Sequence, residues 1–237
     1  SCALLTVGIM LGLARPEKQI SLAVGARSKR FDENKRAPTA LFGHARIMSG
    51  RRSIENLALV GFMGCGKSSV GRLAAKDLGF EFVDTDALVE ERAGISISEI
   101  FATEGEATFR QLERETLAEL ETRAGLIIAT GGGAIVDPEN LASLKRHALV
   151  VCLWAGAEVI HERTKHQSHR PLLQGDDPLG TIRRMLAERE PVYKQADVII
   201  NTELRPQREV VLQVRLQFEE SRKRVSASAT SSGPSGS

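Results

Sequence analysis

The stretch GFMGCGKSS, residues 61–69, follows the apolar run LALV and continues into VGRLAAKDLGF, residues 70–80. It has the spacing G-x-x-x-x-G-K-S between a predicted strand and a predicted helix, which is typical of a loop that holds nucleotide phosphates. Gly64 and Gly66 allow backbone N–H groups to surround the phosphates, and the following helix directs its positive end at them. The pattern predicts nucleotide binding but leaves the phosphate acceptor open: water, another nucleotide, a protein or a small metabolite.

The side chains of this loop have separate predicted tasks. Lys67 is expected to reach the terminal phosphates, and the Ser68 hydroxyl is placed to ligate Mg²⁺. For Cys65 we favour a small residue tolerated where the backbone does the binding over a redox control. The predicted nucleotide-binding residues of the loop are Gly64, Cys65, Gly66, Lys67, Ser68 and Ser69.

Strand and helix patterns alternate along the chain, which predicts an α/β fold with a parallel sheet. Most strand candidates are continuous apolar runs, as expected of strands covered on both faces. The strand candidates are 57–61, 80–84, 126–130, 148–154 and 196–201. The helix candidates are 67–78, a pair within 86–122, 138–146, 157–165, 180–190 and 207–221. With no second core and no internal repeat, one domain is expected over residues 53–221.

The two ends of the chain differ from this core in charge. Residues 1–52 carry ten Lys and Arg against three acids, and the tail after residue 221 carries three basic residues and no acid, whereas the formal net charge is only +2. The part between them is therefore acidic, at −8, and a nucleic-acid partner does not follow from the basic ends. We predict a disordered extension over 1–52 and a disordered Ser/Ala/Gly-rich tail over 222–237.

Composition limits the class of protein further. With 42% apolar and 26% charged residues the chain is typical of a globular protein, and one Trp and one Tyr do not suggest a single-strand nucleic-acid binder. The apolar run of about 13 residues near the start is too short for a confident membrane span. Three cysteines without metal spacing fit a reducing compartment. We expect a cytoplasmic protein without a membrane partner, and organelle targeting by residues 1–47 is the alternative.

An acid pair lies at the end of the second predicted strand. Asp84 and Asp86, in FVDTD, are expected to point the same way because strand side chains repeat every two residues. The carboxyl edge of an open α/β sheet is where ligands bind. Asp84 is therefore assigned to Mg²⁺ and Asp86 to a substrate hydroxyl proton. The alternative for Asp86 is an N-cap for the helix that starts near residue 87.

Three arginines are candidates for binding an anionic group. Arg110 lies beside the apolar stripe of a predicted helix, where Glu113, one turn on, could hold its guanidinium; a solvated helix face is the alternative. Arg170 lies in a Pro- and Gly-rich excursion of the kind that often forms an active-site lid, expected at about 165–180. Arg189 precedes Pro191 near a helix end, where it could instead interact with the helix dipole.

The sequence resembles the shikimate kinase family over essentially all of residues 53–221. The resemblance rests on motifs that occur in order at family spacing: GFMGCGKSS, FVDTD, TFR, ATGGGAI, HRPLL and REPVY. It implies a P-loop kinase fold with a five-stranded parallel sheet, helices on both faces and a mobile lid. It also implies phosphorylation of the 3-hydroxyl of shikimate by ATP with Mg²⁺, in the chorismate route to aromatic amino acids. We expect the protein to be a monomer.

The resemblance further implies roles for single residues. Asp86 matches the aspartate that contacts the substrate hydroxyl, Arg110 and Arg189 match the arginines that bind the substrate carboxylate, and the glycine triplet supplies a backbone contact. The implied substrate-binding residues are Asp86, Arg110, Gly131, Gly132, Gly133 and Arg189.

On the nucleotide side, Arg170 matches the lid arginine that contacts ATP and the transition state, and Arg163 and Arg205 match positions that flank the adenine. The implied catalytic residues are Lys67, Asp86 and Arg170. The sequence departs slightly from the family pattern, with Ser69 where Thr is common and Pro206 directly after Arg205. Two alternatives stay open: a gluconate kinase-like enzyme, and a catalytically silent nucleotide-binding module.

Overall fold

The computed structural model describes residues 52–165 and 176–230 of the 237-residue chain. Its strands are β1 Asn56–Val60, β2 Glu81–Asp84, β3 Leu126–Ala129, β4 Ala148–Trp154 and β5 Val198–Asn201. Its helices are α1 Lys67–Leu78, α2 Thr85–Ala93, α3 Ile97–Thr103, α4 Gly105–Leu120, α5 Pro138–His147, α6 Ala157–Thr164, α7 Pro178–Tyr193 and α8 Gln207–Thr230, with a 3₁₀ turn over Ala134–Val136. The predicted alternation is confirmed.

The five strands form one parallel sheet in the order β2-β3-β1-β4-β5, flanked by the helices. Leu57 at the centre pairs in register with Ile127 of β3 and with Leu149 of β4. Every residue of β1 and β3 is buried, as the apolar runs predicted. The loops that follow β1, β2 and β3 therefore emerge side by side at the carboxyl edge of the sheet, where open α/β sheets bind ligands.

Residues 85–120 form three helices, and the predicted pair was wrong. Gly94, in the left-handed conformation at φ 71°, ends α2. Ser96 then caps α3 through a capping box with Glu99, which gives a separate short helix. Gly105, at φ 86°, separates α3 from α4. These local turn signals, rather than the apolar spacing, determine where the helices divide.

Two helices end three or more residues later than predicted. Helix α7 continues past residue 190 to Tyr193 with Pro191 inside its last turn. Helix α8 continues past residue 221 to Thr230, so that 222–230, predicted as disordered tail, are helical. Arg224 pairs with Glu220 one turn earlier, and Val225 packs against the core. Alanines and this ion pair favour a helix that the Ser-rich composition did not indicate.

The fold includes Arg52, one residue before the predicted boundary. Its guanidinium pairs with Asp197 ahead of β5 and donates to the carbonyl of Ala148 at 2.8 Å. Residues 1–51, most of the predicted lid at 165–180, and 231–237 lie outside the described residues. Within the described ranges, no helix is both long and apolar enough to cross a membrane.

Candidate active site

A cavity of about 530 Å³ opens at the carboxyl edge of the sheet. It is lined by the loop after β1, by the acid pair after β2 and by Gly132 of the loop after β3. Arg163 of α6 and Arg205, ahead of α8, also line it. The predicted nucleotide loop, the predicted metal ligands and Asp86, the predicted acceptor of the hydroxyl proton, therefore line one cavity.

The loop after β1 has a conformation that requires glycine. Gly61 has φ 128°, and a Cβ there would lie 2.3 Å from the carbonyl oxygen of Leu153 on β4. Gly66, at φ 94°, directly precedes the first turn of α1. The loop therefore turns back over the sheet and leads into a helix N-terminus, which is the arrangement that binds phosphate.

The Lys67 side chain folds back onto the start of this loop. Its Nζ donates to the carbonyl oxygens of Gly61 at 2.8 Å and of Phe62 at 2.9 Å, which holds the ammonium over the cavity side of the loop. Cys65 is buried, and burial raises the pKa of its thiol. A buried, protonated thiol is a poor nucleophile, so its side chain has a packing role. Ser69 is exposed on the first turn of α1 and lines the cavity.

Ser68 and Asp84 meet at the base of the cavity. The Ser68 Oγ donates to Asp84 Oδ2 at 2.9 Å, and Asp84 Oδ1 accepts the backbone N–H of Asp86 at 3.2 Å. Asp84 is therefore the N-cap of α2, whereas the sequence alternative gave that role to Asp86. A hydroxyl and a carboxylate oxygen are ligands that Mg²⁺ accepts alongside phosphate oxygens and water. The residues present fit the predicted cation.

Asp86 is in the first turn of α2, so the strand periodicity from which its direction was predicted ends at Asp84 and does not apply to it. Both carboxylates nevertheless line the cavity. Burial, followed by the charge of Asp84, raises the pKa of Asp86, and the Lys67 ammonium opposes this shift. Burial and a neighbouring like charge both disfavour the ionised carboxylate, so it binds a proton more readily. This property suits a base that takes a proton from a substrate.

Arg110 is held between two carboxylates of its own helix. Its Nη1 lies 2.9 Å from Glu113 Oε2, and its Nη2 lies 3.1 Å from Glu106 Oε1. The Glu113 side chain is 2% exposed, whereas that of Arg110 is 29% exposed. The expected contact with Glu113 is confirmed. A buried carboxylate therefore holds the guanidinium, which remains partly exposed.

The glycine triplet lies directly against these groups. A Cβ on Gly131 would lie 2.6 Å from Asp86 Oδ1, and one on Gly133 would lie 3.3 Å from the terminal nitrogens of Arg110. A Cβ on Gly132 would lie 3.3 Å from the backbone nitrogen of Met63 in the phosphate loop. Side chains here would displace the groups that the structure brings together. The triplet therefore joins the acid, the arginine and the nucleotide loop.

Arg189 reaches the same triplet from α7. Its Nη1 donates to the Gly132 carbonyl at 3.2 Å, and its guanidinium lies 5.5 Å from the centre of the Phe62 ring. Tyr193, one turn later, donates its hydroxyl to the same carbonyl at 2.7 Å. Tyr193 was not predicted from the sequence. Its position four residues after Arg189 on a helix was the available signal.

The arginines predicted for the nucleotide are less closely grouped. Arg163 donates to the Thr202 carbonyl at 2.7 Å and to the Gly64 carbonyl at 3.4 Å, which links α6, the phosphate loop and the end of β5. Thr202 was not predicted from the sequence. Arg205 is exposed and contacts Gln213 of α8. Arg170 lies outside the described residues.

Comparison with known proteins places the chain among its relatives. A family model described as shikimate kinase matches residues 63–219. A shikimate kinase of Thermodesulfovibrio yellowstonii is 43% identical over 166 residues, covering 70% of this chain and 96% of the relative. One of Hahella chejuensis is 44% identical over 171 residues, covering 70% and 89%.

Solved structures agree with these matches. The structure of a shikimate kinase from Acinetobacter baumannii in complex with shikimate has a TM-score of 0.67 and 40% identity, and covers 73% of this chain and 96% of that one. A gluconokinase from Sinorhizobium meliloti has a TM-score of 0.51 at 18% identity and covers 75% and 99%, which shows a shared fold alone. The chain belongs to the shikimate kinase family.

Proposed function

We propose that the chain transfers the γ-phosphoryl group of ATP to the 3-hydroxyl of shikimate, giving shikimate 3-phosphate and ADP. The observation that carries the proposal is the convergence of Asp86, Arg110 and Arg189 on the glycine triplet beside the phosphate loop. A hydroxyl acceptor and a carboxylate are the two groups that this set recognises. The solved relative from A. baumannii is a complex with shikimate.

The phosphate loop and Lys67 bind the nucleotide. Backbone N–H groups at the start of α1 would face the phosphates. The Lys67 ammonium, which contacts the Gly61 and Phe62 carbonyls, would stabilise the charge that develops on the transferring group. Ser68 and Asp84 would hold Mg²⁺, which would neutralise phosphate charge when bound. We propose the family roles of Arg163 and Arg205 beside the adenine, because both line the same cavity.

Asp86 acts on the acceptor hydroxyl. Its carboxylate is proposed to accept the hydrogen bond from the 3-hydroxyl and to take its proton as the oxygen attacks phosphorus. The raised pKa of Asp86 suits this task, since a carboxylate with an ordinary pKa is a weaker base. The Asp84 carboxylate fixes the start of α2 by accepting the N–H of Asp86. The base is therefore placed on a capped helix terminus.

Arg110 and Arg189 bind the acceptor carboxylate. Arg110 is oriented by Glu113, and Arg189 by the Gly132 carbonyl. Fixed guanidinium groups suit a carboxylate, because planar donors pair with it through two parallel hydrogen bonds. Two such anchors orient a rigid ring and leave a single hydroxyl facing Asp86 and the γ-phosphate.

Further proposals rest on the sequence. Arg170 is proposed to supply transition-state charge from a lid over residues 165–180, as its HRPLL motif implies. Residues 53–221 are proposed as the catalytic domain, preceded by a disordered extension, and the enzyme as a cytoplasmic monomer. The free, buried Cys65 and Cys152 are compatible with the reducing compartment expected from the odd number of cysteines.

The site of phosphorylation can be identified directly. Incubation with ATP, Mg²⁺ and shikimate, followed by ³¹P NMR, should show one monoester phosphorus that couples to the proton on carbon 3 of the ring. Asp86→Asn, run in parallel, should give no such signal. A phosphorus on another ring carbon, or inorganic phosphate alone, would contradict the proposed reaction.

A further inference from the structure

The carbonyl of Gly132 accepts two hydrogen bonds from one helix. Tyr193 Oη donates at 2.7 Å and Arg189 Nη1 at 3.2 Å, across 61 and 57 residues of chain respectively. The two donors are four residues apart on α7 and so lie on one face of it. A carbonyl oxygen has two lone pairs, and here each meets a donor. The last turn of α7 thus clamps the middle of the glycine triplet.

Tyr193 is the buried member of this pair. It is 1% exposed, and the ring of Trp154, at the end of β4, packs on it edge to face with 6.3 Å between centroids. Burial raises the pKa of the phenol well above its usual value. The hydroxyl therefore stays protonated and serves as a donor. Arg189, by contrast, is charged, and it must also bind the carboxylate of the phosphoryl acceptor.

The triplet is fixed at its other end as well. Gly131 N–H donates to Thr85 Oγ1 at 3.1 Å, and the Gly131 carbonyl accepts the N–H of Ala134 at 3.2 Å. Gly133 accepts the N–H of Val136 at 3.0 Å. Glycine has the widest backbone freedom, so a run of three needs such bonds to keep one conformation. Of the hydrogen bonds named here, those to Gly132 alone involve a proposed substrate ligand, Arg189.

We propose that Tyr193 is a positioning residue for the acceptor carboxylate, acting through Gly132 and Arg189. The inference rests on the proposed function. With the hydroxyl present, the carbonyl has a fixed place, and Arg189 can use it as an anchor while directing its remaining N–H groups at the carboxylate. Without the hydroxyl, the loop is held on this side by the same guanidinium that must bind substrate.

Tyr193→Phe is the direct test, because it removes one donor and keeps the ring packed on Trp154. The Gly132 carbonyl keeps Arg189 as a partner, so no buried acceptor is left unsatisfied. We expect the KM for shikimate to rise roughly tenfold, the size of one buried hydrogen bond. The KM for ATP should change less than about twofold and kcat less than about threefold, because nucleotide and base are untouched.

A matched variant separates positioning from stability. Ser143→Ala removes another buried hydroxyl, which lies on α5, away from the triplet. The Ser143 hydroxyl donates to the Glu121 carboxylate at 3.1 Å. We expect both variants to lose similar thermal stability, whereas Ser143→Ala keeps the KM for shikimate. The chain has a single tryptophan, Trp154, whose fluorescence reports the surroundings of Tyr193. Titration with shikimate should therefore give a fluorescence change whose midpoint shifts by the same factor in Tyr193→Phe.

A double-mutant cycle tests the route through Arg189. In an Arg189→Ala background, Tyr193→Phe should raise the KM for shikimate by much less than tenfold, because the residue that it positions is gone. Full additivity, equal rises in both KM values, or an unchanged KM would each overturn the inference. Failure of the wild-type enzyme to phosphorylate shikimate would instead contradict the proposed function itself, and the inference with it.

Discussion

Ser68 and Asp84 are joined by a 2.9 Å hydrogen bond that connects the first turn of α1 to the end of β2. We expect Asp84→Asn to raise the Mg²⁺ concentration needed for half-maximal activity at least tenfold, since even the loss of a group that only orients a metal's ligands commonly costs roughly 10–100-fold in affinity. Asparagine can still cap α2 through its oxygen, so the fold is retained. Activity measured against free Mg²⁺ at fixed ATP tests this. The exposed Asp77→Asn is the control, and an equal response of both variants would contradict the assignment.

Asp86→Asn should lower kcat by about 10²–10⁴-fold, the usual contribution of a general base. Its nucleotide affinity, measured by calorimetric titration, should stay near that of the wild type because the phosphate loop is unchanged. Turnover that survives the substitution would remove Asp86 from the mechanism.

The pH profile offers a separate test of Asp86. The carboxylate must be ionised to act, and its pKa is raised above the ordinary 3.8, so kcat/KM should fall as the pH drops through this higher value. Asp84 contributes to the shift through its charge. In Asp84→Asn the acid limb should therefore move to lower pH when Mg²⁺ is saturating. A limb that stays in place would show that another group controls it.

Arg110→Lys should raise the KM for shikimate roughly 10–100-fold, because lysine keeps the charge beside Glu113 but loses the two parallel donors. The KM for ATP should be unaffected. Lysine is preferred to alanine, since alanine would leave the buried Glu113 carboxylate without its partner. Arg114→Lys, one turn along α4 and paired with Asp137, is the control. Equal changes in both KM values would make Arg110 structural.

A buried polar pair at the opposite end of the sheet predicts acid sensitivity of the fold. Asn56 Oδ1 accepts the N–H of Leu126 at 2.9 Å, which directs its Nδ2 to donate to His147 Nδ1 at 2.8 Å. A proton on Nδ1 would face this donor. Burial, and secondly Arg146, lowers the pKa of His147, although Glu121 and Glu55 oppose the shift.

The folded state therefore resists protonation of His147 more than the unfolded chain does. The free energy of unfolding should fall as the pH drops below about 6.5, by at most about 1.4 kcal/mol per pH unit from this residue. In His147→Leu, chemical denaturation between pH 7 and pH 5 should show a smaller loss. His161→Gln on α6 is the control. Identical pH dependence in all three proteins would contradict the role of His147.

Much of the fold follows from local patterns. The continuous apolar runs of β1, β3 and β4 are buried as predicted. The loop after β1 leads directly into α1 at Lys67, as its glycine and lysine pattern predicted. The helical position of Asp86 was not predicted because the apolar run before Asp84 does not show where the strand ends and α2 begins. The length of α8 was missed because a Ser- and Ala-rich segment has no apolar period.

The contacts inside the site were less predictable. The hydrogen bond from Tyr193 to Gly132 joins residues 61 positions apart, and its geometry depends on how α7 packs on the loop after β3. No spacing rule covers such a pair. By contrast, the contact of Arg110 with Glu113 lies within one helix turn, and helix geometry alone predicted it.

We propose, above all, that the site selects a hydroxylated ring acid as the acceptor of the phosphoryl group. The most direct measurement is ADP release in a coupled assay with ATP and Mg²⁺, run with shikimate, with gluconate and with no acceptor. We expect rapid release with shikimate and, with gluconate, a rate no higher than the slow background without acceptor. Faster release with gluconate, or a rate that does not depend on shikimate, would contradict it.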